Sequence, residues 1–86
     1  MTVKVTLNPG HGMHYHLHKL RDEVWTIVEG TGTAIIDDKV IPVKAGDVLE
    51  MKAGHKHKIE AVTELKLIEV QIGKEISVHD KVKYDE

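Results

Sequence analysis

The sequence predicts an all-β protein, a small antiparallel sandwich or barrel, and three observations lead to this prediction. Apolar and polar residues alternate along most of the chain, as they do on half-buried strands. β-Branched residues, which pack well on a pleated surface, are abundant. Glycine, proline, aspartate and asparagine divide the alternating runs into short segments, which is typical of antiparallel β architectures.

Each predicted strand follows from an alternating run and from the turn that ends it. The first run, residues 2–7, stops at the loop sequence Asn8-Pro9-Gly10. Two later runs flank Asp37-Asp38-Lys39, which favours a hairpin because aspartate forms turns readily. Ala45-Gly46-Asp47 forms a further turn, and Gly73 ends the last apolar run. The predicted strands are 2–7, 13–18, 24–29, 33–36, 40–43, 48–51, 57–62 and 65–72, and the polar segment 75–86 could add an edge strand.

Length and composition limit the classes of function that the chain can have. We expect one domain, residues 1–86, because a chain of 86 residues has no room for a second core. The 12 basic and 14 acidic side chains give a formal charge of −2, which argues against a nucleic-acid-binding arm or a polybasic membrane patch. No cysteine is present to form a disulfide or a thiolate metal site. No signal peptide or bilayer-spanning run of roughly 20 apolar residues is visible, so we expect a cytoplasmic protein that binds neither nucleic acid nor membrane.

A His-x-His sequence and a nearby glutamate are the first candidate functional residues. His16 and His18 are two residues apart, so on a strand they share one face with His14. Glu23 opens the following strand, which we expect to lie beside the strand of the histidines. Trp25 shares the face of Glu23 and would form an aromatic wall next to the carboxylate.

His57 is the fourth candidate, and it begins a run with clear alternation. His57, Ile59 and Ala61 share one face, while Lys58 and Glu60 share the other, so an inward His57 would lie in an apolar interior. An ionised carboxylate in such an interior is costly unless a cation or hydrogen bonds compensate for its burial. Imidazoles and a carboxylate are ligands that first-row transition metals accept. The four side chains therefore predict a metal site with one or two open positions.

A simpler interpretation stays open for each residue taken alone. Histidines often satisfy hydrogen bonds in half-buried barrels, and Glu23 could be a solvated residue at the start of a strand. The joint spacing of the four residues is what favours a metal site.

That spacing resembles the two motifs of the cupin superfamily of small β-barrels. The first motif is Gly, five residues, His-x-His, three or four residues, Glu, six residues, Gly. It is filled by Gly10, His16, His18, Glu23 and Gly30.

The second motif is Gly, five residues, Pro-x-Gly, two residues, His, three residues, Asn. Gly46, Gly54 and His57 match it, whereas Lys52 replaces the proline and Ala61 replaces the asparagine. Neither replaced position is a metal ligand. The resemblance implies a jelly-roll barrel, also called a double-stranded β-helix. It further implies a divalent transition metal (Mn, Fe, Zn, Ni or Cu) held by His16, His18, Glu23 and His57.

A narrower resemblance points to the cupin-type mannose-6-phosphate isomerases. Residues 16–25 look like the metal-binding stretch of that domain, and residues 67–73 and 80–82 are similar to its end. The same domain forms the C-terminal part of bifunctional mannose-1-phosphate guanylyltransferases. Lys83 stands where that family usually carries arginine, and lysine lacks the fork that binds a phosphate with two hydrogen bonds.

The first functional hypothesis is therefore a metal-dependent isomerase that converts a phosphorylated aldose into a ketose. Such a reaction needs a Lewis acid and a base that moves a proton between two carbons. The candidate bases are His14, on the face of the predicted ligands, and His55, two residues before His57. A phosphate could be held near the rim by basic side chains, although an ordinary charged surface explains them equally. These basic residues are Lys19, Arg21, Lys52 and Lys56.

Two other hypotheses remain open. Histidine and carboxylate ligands with open positions also suit an Fe(II) dioxygenase, for which Trp25, Ile27 and Met51 could line an apolar pocket. Alternatively, the chain is a non-catalytic module that binds a small ligand.

The strand around Trp25 also predicts association. Val24, Thr26 and Val28 lie on its opposite face, so both faces of this strand are largely apolar. A chain of 86 residues has little else to cover the outer face, and we expect a second copy to cover it in a homodimer.

Overall fold

The computed structural model contains nine strands among its described residues, which are 1–13, 16–18, 21–73 and 81–83. For residues 16–18 and 81–83 only the backbone is described. No helix occurs in these ranges. The strands are β1 (Thr2–Leu7), β2 (His16–His18), β3 (Asp22–Glu29), β4 (Thr31–Ile36), β5 (Lys39–Lys44), β6 (Val48–Met51), β7 (His57–Ala61), β8 (Leu65–Ile72) and β9 (Lys81–Lys83).

The strands form two antiparallel sheets whose inner faces share one core. The four-stranded sheet has the order β1-β8-β3-β6, and the five-stranded sheet has the order β5-β4-β7-β2-β9. From β5 to β9 the chain changes sheet at every connection. This arrangement is a jelly roll, and it confirms the predicted fold class.

The predicted strand positions agree closely with the structure. The strands predicted at 2–7, 48–51 and 65–72 have the same bounds as β1, β6 and β8. The edge strand expected within 75–86 is represented by β9, at the edge of the five-stranded sheet. Of the run predicted at 13–18, residues 16–18 form β2, while residues 14 and 15 lie outside the described part of the chain.

The prediction that the strands of Glu23 and of the two histidines are neighbours is wrong. We expected Glu23 on a strand beside that of His16 and His18, but β2 belongs to the five-stranded sheet and β3 to the four-stranded sheet. Alternation along a strand determines which face a side chain occupies, and it carries no information about which sheet the strand joins. Glu23 therefore belongs to the sheet opposite the histidine strand.

The shared interior has an apolar part and a polar part. Ile27, Leu65 and Leu67 are at most 1% exposed and form the apolar part together with residues from the facing sheet. Further along the same strands the interior becomes polar. The buried apolar residues are Trp25, Ile27, Ala34, Val43, Met51, Ile59, Ala61, Leu65 and Leu67, and the buried polar residues are Glu23, His57, Glu69 and Gln71.

Gly30 makes the sharp connection between β3 and β4. Its φ is +90°, a region that residues with a side chain rarely adopt. A Cβ atom at this position would lie 1.9 Å from the carbonyl oxygen of Glu64, so the backbone on both sides would have to move. Gly46 has a similar φ of +95°, but a Cβ there would have no atom within 4 Å.

We predict that Gly30→Ala destabilises the fold more than Gly46→Ala does. Both variants carry the cost of positive φ, on the order of 1–3 kcal/mol, while only Gly30→Ala adds a collision with backbone, worth a further 1–3 kcal/mol or so. Urea denaturation of both variants measures the two losses of unfolding free energy. Equal losses would contradict the steric role of Gly30.

Candidate metal centre

Glu23 and His57 approach each other across the interior, each from a different sheet. Glu23 lies on β3 and His57 begins β7. Their side chains are 1% and 2% exposed, and His57 Nε2 lies 3.4 Å from Glu23 Oε1. The structure thus brings together two of the four predicted ligands in its buried interior.

The backbone carbonyl of His55 orients the ring of His57. His57 Nδ1 lies 3.1 Å from this oxygen, and because a carbonyl only accepts, Nδ1 is the donor. In a neutral ring Nε2 then carries a lone pair, directed toward a carboxylate oxygen. Two electron-rich atoms at this distance need a proton or a cation between them. Trp25 packs against the same ring in a T-shaped contact, with 5.3 Å between ring centroids.

Arg21 holds the second oxygen of the Glu23 carboxylate. Its Nε and one terminal nitrogen lie 3.3 Å and 3.2 Å from Glu23 Oε2, and the arginine side chain is only 10% exposed. The sequence analysis considered Arg21 as a phosphate-binding residue at the rim and missed this contact. The sequence did contain a sign of this contact, because Arg21 and Glu23 are two residues apart and such residues share a face on extended backbone. Arg21 leaves Oε1 of Glu23 on the side of His57.

A turn between β4 and β5 supports the loop that leads to His57. Asp37 accepts a hydrogen bond from the Lys56 amide at 3.0 Å, and its own amide donates to the Lys56 carbonyl at 2.9 Å. Its other carboxylate oxygen makes a hydrogen bond with His55 Nδ1. The hydrogen bond from His55 is the main reason why the pKa of Asp37 is lowered. These contacts hold the carbonyl that orients His57.

The remaining predicted site residues are placed only in part. The backbone pairs His16 with His57, so β2 lies directly beside β7 in the same sheet. The side chains of His16 and His18, and the whole of His14, lie outside the described residues. The His55 ring is half exposed and contacts Asp37, so it does not join Glu23 and His57.

The rim lysines considered for phosphate binding contact carboxylates in the structure. Lys52 lies 2.9 Å from Glu50 and 3.7 Å from Asp22, and Lys56 lies 3.5 Å from Asp38. These ion pairs correspond to the simpler interpretation of a charged surface. Lys19 is outside the described residues.

The two described donor atoms have a separation that suits a shared metal ion. Atoms that each lie about 2.1 Å from one ion, with 90–109° between the bonds, are about 3.0–3.4 Å apart. His57 Nε2 and Glu23 Oε1, at 3.4 Å, agree with the upper end of this range. Within the described side chains no group of three possible ligands occurs, since the two remaining candidates are the histidines of β2.

A second group of buried polar side chains lies next to this pair and was missed by the sequence analysis. Trp25 Nε1 donates to Glu69 Oε1 at 3.0 Å, and Gln71 Nε2 donates to Glu69 Oε2 at 2.7 Å. We call these three residues the Trp25–Glu69–Gln71 network. Alternation along β8 puts Glu69 and Gln71 on the face of Leu65 and Leu67, a signal that the sequence analysis did not use.

We predict that Asp37→Asn lowers stability at neutral pH and that this loss vanishes in acid. Because the folded state lowers the pKa of Asp37, its contribution is present above the unfolded value of about 4 and disappears as the pH falls through the folded value. The loss should stay below about 1 kcal/mol, since the pair with His55 is largely exposed.

Chemical denaturation of Asp37→Asn and the native protein between about pH 2 and 7 measures this difference. Asp38→Asn, in the same turn, is the matched control because it keeps Asp37 and His55. A loss that is the same at every pH would contradict the role of the Asp37 carboxylate.

Comparison with known proteins agrees with the geometry. The family model described as a cupin domain matches residues 3–71. Mannose-1-phosphate guanylyltransferase 2 of Escherichia coli O157:H7 is 28% identical over 85 residues, which are 96% of this chain and 18% of that protein. The chain therefore spans less than a fifth of the length of this relative.

Both a curated relative and a solved structure from Thermotoga maritima are similar to this chain. An oxalate-binding protein is 35% identical over 57 residues, which cover 66% of this chain and 47% of that protein. The crystal structure of a predicted oxalate decarboxylase superposes with a TM-score of 0.82 and 32% identity, covering 85% of this chain and 65% of that chain. The described part of the chain consists of strands and loops, so it contains no helix that could cross a membrane. With four-fifths of its length matched by the family model, the chain belongs to the cupin family.

Proposed function

We propose that the chain binds one divalent transition metal through His16, His18, Glu23 and His57. The observation that carries this proposal is the meeting of His57 Nε2 and Glu23 Oε1, which lie 3.4 Å apart on side chains that are almost completely buried. The neighbours of the pair are arranged as they are around many metal sites. The other ring nitrogen of His57 donates a hydrogen bond to a backbone carbonyl, and the Glu23 carboxylate accepts a hydrogen bond from Arg21. The metal can be Mn, Fe, Zn, Ni or Cu, because these ligands do not select among them.

Metal content tests this proposal directly. The protein, reconstituted with Mn²⁺, Fe²⁺ or Zn²⁺ and freed of excess ions, should retain about one ion per chain. His57→Ala and Glu23→Gln should each weaken binding by more than about 100-fold, since even residues that only orient ligands contribute about 10- to 100-fold.

His11→Ala is the matched control, because His11 is an exposed histidine outside the four positions. Circular dichroism of each variant separates loss of the site from loss of the fold. Metal binding that is unchanged in His57→Ala would contradict the proposal.

We further propose that the metal-loaded site isomerises a phosphorylated sugar, as the resemblance to the mannose-6-phosphate isomerases implies. Support comes from the 28% identity to a relative named for mannose 1-phosphate. The bound metal would supply a Lewis acid, and His14 or His55 would move the proton. Of the two bases, His14 is favoured, because the ring of His55 is engaged by Asp37.

We predict that the metal-loaded protein converts mannose 6-phosphate into fructose 6-phosphate. His14→Ala should lower turnover by roughly 100-fold or more, while His55→Ala should lower it less. A coupled assay for fructose 6-phosphate measures both effects. Oxygen consumption by the Fe(II) form, without isomerisation, would favour a dioxygenase instead.

A second candidate function is the binding of a small ligand without catalysis. The 35% identity to an oxalate-binding protein supports it. Thermal stabilisation by a ligand without any product distinguishes this function, and a ligand at 100 times its Kd should stabilise the fold by about 2.7 kcal/mol. The cytoplasmic location expected from the sequence stays a prediction.

We also propose a homodimer that buries the outer face of the four-stranded sheet. Val28, Val48 and Ile72 are 53%, 62% and 52% exposed on this face. Val24, Ile68 and Val70 are half-buried beside them and extend the apolar surface. Exposed apolar side chains gathered on one face of a sheet are typical of an interface between subunits.

We predict that light scattering at micromolar concentration gives twice the monomer mass. Val48→Lys should produce monomers, because it places a charge within the proposed interface. Val40→Lys is the matched control, since Val40 is 67% exposed on β5 in the other sheet. A monomeric native protein would contradict the proposal.

A further inference from the structure

The Trp25–Glu69–Gln71 network fixes the orientation of a buried amide. Trp25 donates to one oxygen of Glu69 at 3.0 Å, and Gln71 Nε2 donates to the other at 2.7 Å. A carboxylate that receives both bonds acts only as an acceptor. The nitrogen of the Gln71 amide must therefore face Glu69, and its oxygen must face away.

The oxygen of Gln71 is a buried acceptor to which no described residue donates a hydrogen bond. The residue is 8% exposed, and Oε1 has no hydrogen-bond partner within the described part of the structure. Burying a carbonyl oxygen without a donor is unfavourable, because the oxygen loses its hydrogen bonds to water. The amide cannot turn to relieve this cost without breaking its bond to Glu69.

Gln71 lies immediately beside the candidate metal centre. The register of β3 and β8 pairs Gln71 with Glu23, and both side chains belong to the buried face of the four-stranded sheet. Directly paired residues on one face have Cβ atoms roughly 4.5–5.5 Å apart. The unused acceptor therefore belongs to the same end of the interior as Glu23 and His57.

We propose that Gln71 selects the molecule that binds beside Glu23 and His57 by accepting a hydrogen bond from one of its hydroxyl groups. A hydroxyl supplies the donor that Gln71 Oε1 does not find among the described residues. A carboxylate or phosphate oxygen at the same place would meet it with two lone pairs facing each other. The ligand class is thus a small hydroxylated molecule, such as a hydroxy acid or a sugar. This inference rests on the proposed metal centre as the place where the ligand binds.

Glycolate and acetate test the inference, because they differ by one hydroxyl group. NMR titration of the Zn²⁺-loaded protein gives the ratio of the two dissociation constants. Gln71→Met keeps an unbranched side chain and removes the amide oxygen. The preference for glycolate should fall by roughly 3- to 10-fold in this variant, which corresponds to the loss of one neutral hydrogen bond. Glycolate can also chelate Zn²⁺ through its hydroxyl group, but this contribution is the same in both proteins. It therefore cancels when the ratio of dissociation constants in the native protein is compared with the ratio in Gln71→Met.

Glu69→Gln provides a second variant with an opposite effect on Gln71. The new amide must turn its oxygen toward Trp25, so its nitrogen faces Gln71. Gln71 then turns its own oxygen toward position 69 and presents its nitrogen to the site. All the hydrogen bonds of the network are kept, while the acceptor beside Glu23 becomes a donor. The preference for glycolate should fall, because an N–H donor serves a carboxylate oxygen of acetate as well as it serves the hydroxyl oxygen of glycolate.

The outcomes separate this inference from the proposed metal centre. If the native protein takes up no Zn²⁺, the metal proposal fails. The same titrations of the metal-free protein then test whether Gln71 selects a hydroxylated ligand. With Zn²⁺ bound or without it, the inference is overturned if the native protein and Gln71→Met prefer glycolate over acetate by the same factor. It is also overturned if Glu69→Gln keeps the native preference, because the orientation of the amide would then not matter.

Discussion

The central constraint in this molecule is the meeting of His57 Nε2 and Glu23 Oε1 in the buried interior. With its other nitrogen bound to a carbonyl, a neutral His57 directs a lone pair at the carboxylate, which is unfavourable unless positive charge lies between them. The jelly roll creates this situation because the two residues belong to facing sheets. Surrounding groups then restrict each partner, Arg21 at the carboxylate and the His55 carbonyl at the imidazole.

The interior between the two sheets has an apolar part that stabilises the fold and a polar part that suits ligand binding. Toward Ile27 and Leu67 it is a closely packed apolar core, which supplies the stability of a small domain. Toward Glu23 and Gln71, on the same two strands, it carries polar groups that suit ligand binding. Because each polar group is held by another, as Glu69 is held by Trp25, the site can be buried and still keep a defined geometry.

Much of the fold was predictable because strand alternation and turn residues are local signals. The bounds of β1, β6 and β8 were predicted correctly from them. The sheet to which β3 belongs was not, since sheet membership depends on distant pairings such as that of β3 with β8. At the site, spacing predicted that Glu23 and His57 lie together, as they do in the structure. It could not show that Glu69 and Gln71 are buried, because burial of a polar side chain depends on partners from other strands.

The ring of His57 offers the most direct test of the account. Long-range ¹H–¹⁵N NMR of this ring, before and after addition of Zn²⁺, reports the state of each nitrogen. The account predicts that Nδ1 keeps its proton in both states, held by the His55 carbonyl, and that the Nε2 signal changes when Zn²⁺ binds. An Nε2 signal that does not respond to Zn²⁺, or a metal bound through Nδ1, would contradict it.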